Sequence, residues 1–364
     1  MWVYAWLLLL PPILAFGRHF PRLERASLVL AWVALVLFIG FRRFVGVDWD
    51  AYQIMFVRAG NYPVLEAMTL NDPGYMLLSS AVASLGFSIP ILNAFCAAIF
   101  ATGLFLFVRA QPSPPLAILI AIPVLVLIAS LTTRQSVALG MEMAALALYA
   151  SGARRLPSLL ILLSLLFHWT AIVLLPLVAI MLMPRIRPRW IIILGGSAGL
   201  AAAAALLTIP YLAARIDHLP LVGGALYRGV PTAMAIVTLF MLWRRLDLDE
   251  REERILAFLA ALGLFALLVT PAFAMAGDRI GYFAIPLQMM VFARAAMLVA
   301  PGPRRLAVQS IIAAPFLILF AGWMTLTSYA ACLSPYRSYL TDPTALREAD
   351  QQAHRRPSLC MWGI

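Results

Sequence analysis

Apolar runs of roughly 15 to 25 residues recur along nearly the whole chain, and short polar stretches that carry arginine separate them. A helix that crosses the bilayer core needs about 20 mainly apolar residues. The pattern therefore predicts an all-α fold, a polytopic transmembrane helix bundle that forms one integral membrane domain over residues 1–364. The candidate membrane segments are residues 2–16, 27–41, 76–108, 114–131, 135–150, 157–183, 190–209, 229–243, 255–276, 281–300 and 306–330.

Composition supports a membrane protein without a soluble domain. Hydrophobic residues make up 63% of the chain and charged residues 12%, and the mean hydropathy is +0.94. A soluble domain is about 45–50% apolar and about 25% charged. One apolar segment, residues 76–108, is too long for a simple crossing, and we expect it to include an interfacial or re-entrant stretch near Ser84–Pro90.

Arginine positions predict the orientation of the bundle. The net charge is +11 and all 27 basic residues are arginine, but they are scattered among membrane loops, so we expect no nucleic-acid partner. One set of loops carries fifteen arginines and the opposite set seven. Because basic loops stay in the cytoplasm, the second set should face outward, with about 12 crossings and an outward C-terminal tail at residues 331–364.

The same orientation predicts a re-entrant or broken segment near His168. Arg154 and Arg155 lie on the same side as Arg185, so residues 157–183 must enter the membrane and return. Each arm of about 13 residues reaches about 20 Å, which is short of a bilayer core of about 30 Å. Irregular backbone at that depth must be buried in protein or line a wet cavity.

Four arginines on the outward side indicate a binding site for an anion. Arg42 and Arg43 open the first outward loop, residues 42–75, and Arg134 and Arg279 belong to later outward loops. Guanidinium groups bind phosphate oxygens through paired hydrogen bonds. A phosphate or pyrophosphate ligand explains their position. Two alternatives are snorkelling to lipid headgroups and ion pairing with the acidic residues of the same loops, such as Asp278.

Two outward residues are candidates for a general base. Asp48 would take a proton from an acceptor hydroxyl if it is partly buried, and His168 titrates near neutral pH. Asp48 and Asp50 also form an Asp-x-Asp triplet, whose hard oxygen atoms suit a divalent metal ion. Both the base and the metal interpretation stay open at this point.

At these residues the chain resembles the EpsG family of Wzy-like exopolysaccharide polymerases. The similar elements occur in the expected order over residues 40–340, and Asp72 and Thr170 are conservative departures from the family pattern. They are Gly40-Phe41-Arg42 with Val45, Gly46, Asp48 and Tyr52; Asp72-Pro73-Gly74-Tyr75; Arg134-Gln135; Phe167-His168-Trp169-Thr170-Ala171; Arg279 with Tyr282; and Pro335-Tyr336.

The resemblance implies a GT-C-like membrane glycosyltransferase without a cofactor, in the bacterial inner membrane, with its active site facing the periplasm or cell exterior. Such an enzyme polymerises undecaprenyl-pyrophosphate-linked repeat units into an exopolysaccharide, capsule or O-antigen-type glycan. Its partners are the lipid-linked donor and acceptor, the bilayer, and a chain-length regulator or co-polymerase. The expected catalytic residues are Asp48 and His168, and the expected substrate-binding residues are Arg42, Arg43, Tyr52, Asp72, Tyr75, Arg134, Gln135, Arg279 and Tyr282.

Two other functions are compatible with the sequence. A GT-C glycosyltransferase with a polyprenyl-phosphate sugar donor would use Asp48 and Asp50 as base and metal site. A lipid-linked oligosaccharide flippase or other transporter would need polar groups through the depth of the bundle and often has internal repeats. The polar candidates of this chain gather at one face, which favours the enzyme.

Overall fold

A computed structural model describes residues 2–183, 187, 188, 190, 191, 193, 222–271, 273–326, 330 and 332–341. These residues are helical and contain no β-strand, although an isolated bridge pairs Arg42 with Ser338. The α-helices are α1 Leu10–His19, α2 Pro21–Gly40, α3 Trp49–Asn61, α4 Val64–Ala67, α5 Pro73–Ser84, α6 Ile89–Arg109, α7 Pro114–Ala121, α8 Leu127–Leu131, α9 Thr133–Ala150, α10 Arg155–Ser164, α11 Leu175–Leu182, α12 Val222–Leu242, α13 Glu250–Val269, α14 Ala274–Gly281, α15 Ile285–Ala295 and α16 Pro303–Leu326.

Five helical stretches among the described residues are long and apolar enough to cross a membrane. They are Leu23–Gly40, Ile89–Arg109, Pro114–Leu131, Ala274–Leu298 and Pro303–Thr325. Shorter apolar helices cover Val3–Gly17, Arg155–Ser164 and Trp169–Leu182. The predicted all-helical membrane fold is therefore confirmed, while the number of crossings stays a prediction. The predicted segment 190–209 lies almost wholly outside the described residues.

Polar contacts gather the arginine-rich loops at one end of the bundle. Arg294 donates to Gln111 Oε1 over 2.8 Å and pairs with Glu252, which joins α15, the end of α6 and the start of α13. Arg254 donates to the hydroxyl of Tyr149 over 3.4 Å, at the end of α9. The opposite end holds the residues that the sequence predicts to face outward, and the site described below is built there.

Residues 155–182 form a broken segment that folds back on itself. Helix α10 ends at Ser164, a 3-10 helix covers Trp169–Leu174, and α11 packs against α10. Tyr149 Oη donates to the carbonyl of Ile180 over 3.5 Å, so the segment returns to the end of the bundle from which it started. The turn at His168 lies at the other end, and its depth in a bilayer stays a prediction.

Two predicted boundaries are tested by the helices. The apolar segment 76–108 is divided near Ser84–Pro90, because α5 ends at Ser84 and α6 begins at Ile89. The interfacial or re-entrant nature of this stretch stays a prediction. The predicted end of the segment 255–276 and the predicted start of the next segment at residue 281 were wrong. Helix α13 ends at Val269 and α14 begins at Ala274, since Pro271 cannot continue a helix. Asp278 and Arg279 consequently lie on α14 rather than in a loop between two helices.

The first outward loop and the C-terminal tail are more ordered than the sequence predicts. Residues 42–75 include the two helices α3 and α4. The described part of the tail packs on the turn after α2, where Tyr339 N donates to Phe41 O over 2.8 Å and Arg43 N donates to Arg337 O over 2.9 Å. Residues 342–364 lie outside the described part of the chain.

Candidate functional site

The N-terminus of α9 anchors the site through Arg134. The Arg134 guanidinium donates from Nη1 to Asp72 Oδ2 over 2.5 Å and also to the side-chain oxygen of Asn71. It lies 5.7 Å from the ring centroid of Tyr52, and Tyr52 Oη accepts a hydrogen bond from the Arg134 backbone N–H over 3.4 Å. Arg134 is therefore fixed in place by three side chains from the first outward loop.

His168 lies against this anchor. Gly74 N donates to Leu166 O over 2.7 Å, and a Cβ on Gly74 would come within 2.8 Å of Leu166 Cβ. The glycine thus lets the Asp72 element approach the turn that carries His168. His168 Nδ1 lies 3.8 Å from Asp72 Oδ2, which is too long for a hydrogen bond. The imidazole is 2% exposed, and neither ring nitrogen has a hydrogen-bond partner among the described residues.

A cavity of about 110 Å³ opens next to this anchor. It joins residues from five distant parts of the chain, namely the turn before α3, α8 with the start of α9, the start of α12, helix α14 with the residue after it, and helix α16. The cavity walls are formed by Val47, Asp48, Ile128, Leu131, Thr132, Gln135, Arg228, Ala274, Met275, Asp278, Arg279, Tyr282 and Trp323. Four of the predicted site residues, Asp48, Gln135, Arg279 and Tyr282, therefore share one cavity.

Arg279 is a cation of this cavity that no acidic group among the described residues neutralises. The neighbouring Asp278 is held by Arg228, whose Nε and Nη2 donate to its two carboxylate oxygens over 2.7 and 2.8 Å. Tyr282 Oη donates to the same carboxylate over 2.6 Å. Within the described ranges, the Arg279 side chain makes no ion pair or hydrogen bond, and its guanidinium is half-buried. An anion in the cavity would supply the missing partner.

Gln135 fixes the backbone next to this cation. Its Nε2 donates to the carbonyl of Arg279 over 2.9 Å, which ties α9 to α14. The Gln135 side chain is 1% exposed, and its Oε1 accepts no hydrogen bond from any described residue. A hydroxyl group of a ligand in the cavity would satisfy this buried acceptor.

Asp48 is the acidic residue that the turn before α3 contributes to the cavity wall. Its carboxylate is half-buried and has no hydrogen bond or ion pair to the rest of the described chain. Burial and the nearby Asp48 charge raise the pKa of Tyr52 to about 12, so Tyr52 stays protonated at neutral pH. Of these two residues, Asp48 is therefore the one able to accept a proton, and it lines the cavity.

The structure places Arg42 away from the cavity. Arg42 is 1% exposed, and its guanidinium donates to Val45 O over 3.2 Å, Ile39 O over 2.5 Å and Thr133 Oγ1 over 2.6 Å. These bonds pin the turn after α2 to the start of α9. The expected anion contact of Arg42 finds no support in this placement, which favours a structural role because its N–H groups are engaged by protein.

Three other predicted site residues also lie outside the cavity. The Arg43 guanidinium packs on the rings of Phe44 and Tyr339, at 4.9 and 5.7 Å. Tyr75 is fully buried, and its ring packs at a tilt against that of Tyr52, with the centroids 5.6 Å apart, so it supports the anchor rather than a ligand. Asp50 lies in the first turn of α3 and is not a cavity residue. The described residues hold no group of three or more His, Cys, Asp or Glu that could bind a metal ion.

The comparisons with known proteins agree with the predicted family. A family model described as the EpsG family matches residues 25–338, nearly the whole chain. The chain belongs to the EpsG family. The match includes every residue of the anchor and of the cavity. No curated protein and no solved structure matches the chain.

Some site residues of this EpsG family member were missed by sequence reasoning. Arg228 is one of the seven arginines that the sequence places in outward loops. The sequence suggested no role for it, although its outward position was the same signal that identified Arg279. The structure also places Trp323 in the cavity wall. Asn71 gave no signal, because a single amide in a loop is unremarkable until its partner Arg134 is known.

Proposed function

We propose that the protein polymerises lipid-linked oligosaccharide repeat units at the outer face of the bacterial inner membrane. One observation carries the proposal: the guanidinium of Arg279 and the carboxylate of Asp48, neither of which has a partner in the part of the chain that the structure describes, line the same cavity at one end of the bundle. An anion-binding group and a proton acceptor are the two functions that glycosyl transfer from a phosphate-linked donor requires.

In this proposal the donor pyrophosphate binds at Arg279. Guanidinium is permanently charged and binds phosphate oxygens through two parallel hydrogen bonds. The cavity also opens at the first turn of α9, marked by Thr132 and Gln135, and a helix N-terminus favours negative charge. Arg134 acts through its ion pair with Asp72, which holds α9 in place.

Transfer then takes one step. The oxygen of an acceptor sugar hydroxyl forms a bond to the anomeric carbon of the donor, while the bond from that carbon to the pyrophosphate oxygen breaks. Asp48 takes the hydroxyl proton, and the pyrophosphate leaves with the bonding electron pair. Arg279 stabilises the negative charge that grows on the leaving oxygen. A single displacement inverts the configuration at the anomeric carbon.

The outward location of this cavity is supported by two features. The loops that carry most of the arginines gather at the opposite end of the bundle, and such loops stay in the cytoplasm. Cys332, which begins the segment that packs on the turn after α2, is disulfide-bonded. Disulfides persist in oxidising compartments such as the periplasm.

Two rival functions have less support. A glycosyltransferase with a metal site needs Asp48 and Asp50 to act together, whereas Asp48 alone of the two lines the cavity. A flippase would need a polar path through the bundle, whereas the charged groups of the cavity lie at one end. The proposed polymerase requires charged groups at only one end of the bundle.

Substitution of Arg279 tests the proposal in cells. A deletion strain complemented with Arg279→Ala should accumulate lipid-linked single repeat units, because loss of a group that stabilises transition-state charge slows transfer by about 100-fold or more. The measurement is gel analysis of lipid-linked glycan. Arg337→Ala is the matched control. Arg337 is exposed at the same end of the bundle as Arg279 and lines no described cavity. A normal polymer ladder with Arg279→Ala would contradict the proposal.

A further inference from the structure

A second cavity, of about 170 Å³, lies beside α3. Helix α3 contributes Ile54, Met55 and Arg58 to its walls, and the chain around the start of α5 contributes Leu70, Asn71 and Met76. The cavity is an apolar groove with one cation and one amide. None of its wall residues belongs to the cavity that holds Asp48 and Arg279.

The groove occupies the exposed face of α3. The opposite face of this helix is buried through Tyr52, Gln53 and Phe56, whereas Ile54 is 49% exposed and Leu70 is 40% exposed. Arg58 is exposed and, among residues that the structure describes, has no acidic or hydrogen-bonding partner for its side chain. An apolar surface that ends in an unpaired guanidinium matches a ligand with an apolar chain and an anionic head.

Asn71 contributes a polar group to the same groove. Its Oδ1 accepts hydrogen bonds from the Arg134 guanidinium and, over 2.9 Å, from the Asp72 backbone N–H. Because the oxygen is occupied by two donors, the Nδ2 group of Asn71 remains as a donor. Asn71 therefore links the groove to Arg134, the anchor beside the first cavity.

The groove also lies at a defined distance from the proposed base. Asp48 immediately precedes α3, and a helical rise of 1.5 Å per residue places Arg58 about 15 Å from it along the helix. That separation exceeds one sugar ring and is within reach of a short oligosaccharide. A phosphate at Arg58 would thus leave room for a repeat unit whose far end reaches Asp48.

We propose that this groove binds the lipid-linked end of the acceptor, with its phosphate groups on Arg58 and Asn71 and the start of its isoprenoid chain on Ile54, Met55, Leu70 and Met76. This inference rests on the polymerase function proposed above. The acceptor keeps its own pyrophosphate bond during transfer, so its binding site needs a cation without a base beside it. The donor, in contrast, binds where Arg279 and Asp48 meet.

The test compares two acceptors, each with the polyprenyl-pyrophosphate-linked repeat unit as donor, in vesicles that contain the purified full-length protein. One acceptor is the repeat unit on a phosphonate analogue of polyprenyl pyrophosphate, which accepts but cannot donate, and the other is the same glycan with a free reducing end. Wild-type protein should show a lower KM for the phosphonate acceptor. Arg58→Ala should raise that KM by about tenfold, the loss expected for one charge-assisted hydrogen bond, and leave the KM of the free glycan unchanged.

Two control variants separate the outcomes. Arg58→Lys should restore part of the lost affinity, and Arg337→Ala should leave both KM values unchanged. An unchanged KM for the phosphonate acceptor in Arg58→Ala would overturn the groove proposal while the polymerase function stands. Absence of any transfer by the wild-type protein would overturn the polymerase function, and the groove proposal with it.

The lipid composition distinguishes an acceptor site from a phospholipid site. The proposal predicts the same KM for the phosphonate acceptor in vesicles of neutral lipid and in vesicles with phosphatidylglycerol. A KM that rises with the phosphatidylglycerol fraction, and that loses this dependence in Arg58→Ala, would show instead that the groove holds an ordinary anionic headgroup.

Discussion

At the residue scale, the two candidate bases differ in their surroundings. Asp48 lines the cavity beside Arg279, whereas His168 is buried behind the pair of Arg134 and Asp72, 3.8 Å from the Asp72 carboxylate. A general base must lie within hydrogen-bond reach of the proton that it takes. The geometry therefore favours Asp48 as the catalytic residue and His168 as a positioning residue for Asp72.

Substitution of each candidate separates these roles. Asp48→Asn should lower the rate of glycan transfer by about 100-fold or more, which is the usual effect of removing a general base. His168→Gln should lower it by less, because Gln keeps a polar group beside Asp72. The measurement is the single-turnover rate of transfer by purified protein. The assignment would be reversed if His168→Gln abolished transfer while Asp48→Asn remained active.

The sequence predicted residue types at this site better than residue roles. Arg279, Gln135, Tyr282 and Asp48 meet in the cavity as expected from their outward positions. Arg42 was expected to bind the anion because it has the same residue type as Arg279 and is predicted to lie on the same side of the membrane. Its role differs because Ile39, Val45 and Thr133 surround it, and contacts of this kind are not visible in a hydrophobicity pattern.

At the element scale, the packing of α6 on α9 sets the position of Arg134. A Cβ on Gly140 would come within 2.5 Å of Phe100 Cα, and a Cβ on Gly103 would come within 1.8 Å of Gly140 O. The two helices therefore touch backbone to backbone, as small residues allow between membrane helices. Since Arg134 lies on α9, this contact holds the anchor of the site in place.

Gly140→Ala tests this packing. The added methyl group forces the backbones apart, so we expect a loss of about 1–3 kcal/mol in the free energy of unfolding, as in other overpacked cores. The measurement is thermal unfolding in detergent. Gly281→Ala is the control, because its Cβ would lie 3.8 Å from Ala266 Cβ in ordinary contact. Equal stability of the two variants would mean that α6 and α9 separate without strain.

Helix boundaries were predictable where proline or glycine marks them. The break between α5 and α6 falls where Gly86 has a positive φ of 75°, in the stretch identified from the sequence. Pro271 gives an equally strong signal for the end of α13, but the apolar run continues past it to residue 276 and hid that boundary. The helices of the first outward loop were missed because they are short and only partly apolar.

At the scale of the whole molecule, the fold explains how distant motifs form one site. The anchor and cavity combine the turn after α2, the starts of α5, α9 and α12, and helices α14 and α16, which are separated by more than 200 residues of chain. A common end of a helix bundle brings such points together without any local motif. The sequence predicted which loops share a side, but it contained no information on which side chains would face one another.

Transfer by the purified protein tests the central claim most directly. Full-length protein is placed in liposomes with polyprenyl-pyrophosphate-linked repeat units, and the products are separated by gel. Our account predicts a ladder of longer lipid-linked glycans for the wild-type protein and single repeat units for Asp48→Asn and Arg279→Ala. Movement of the unchanged lipid between leaflets, without any ladder, would contradict it and identify a transporter.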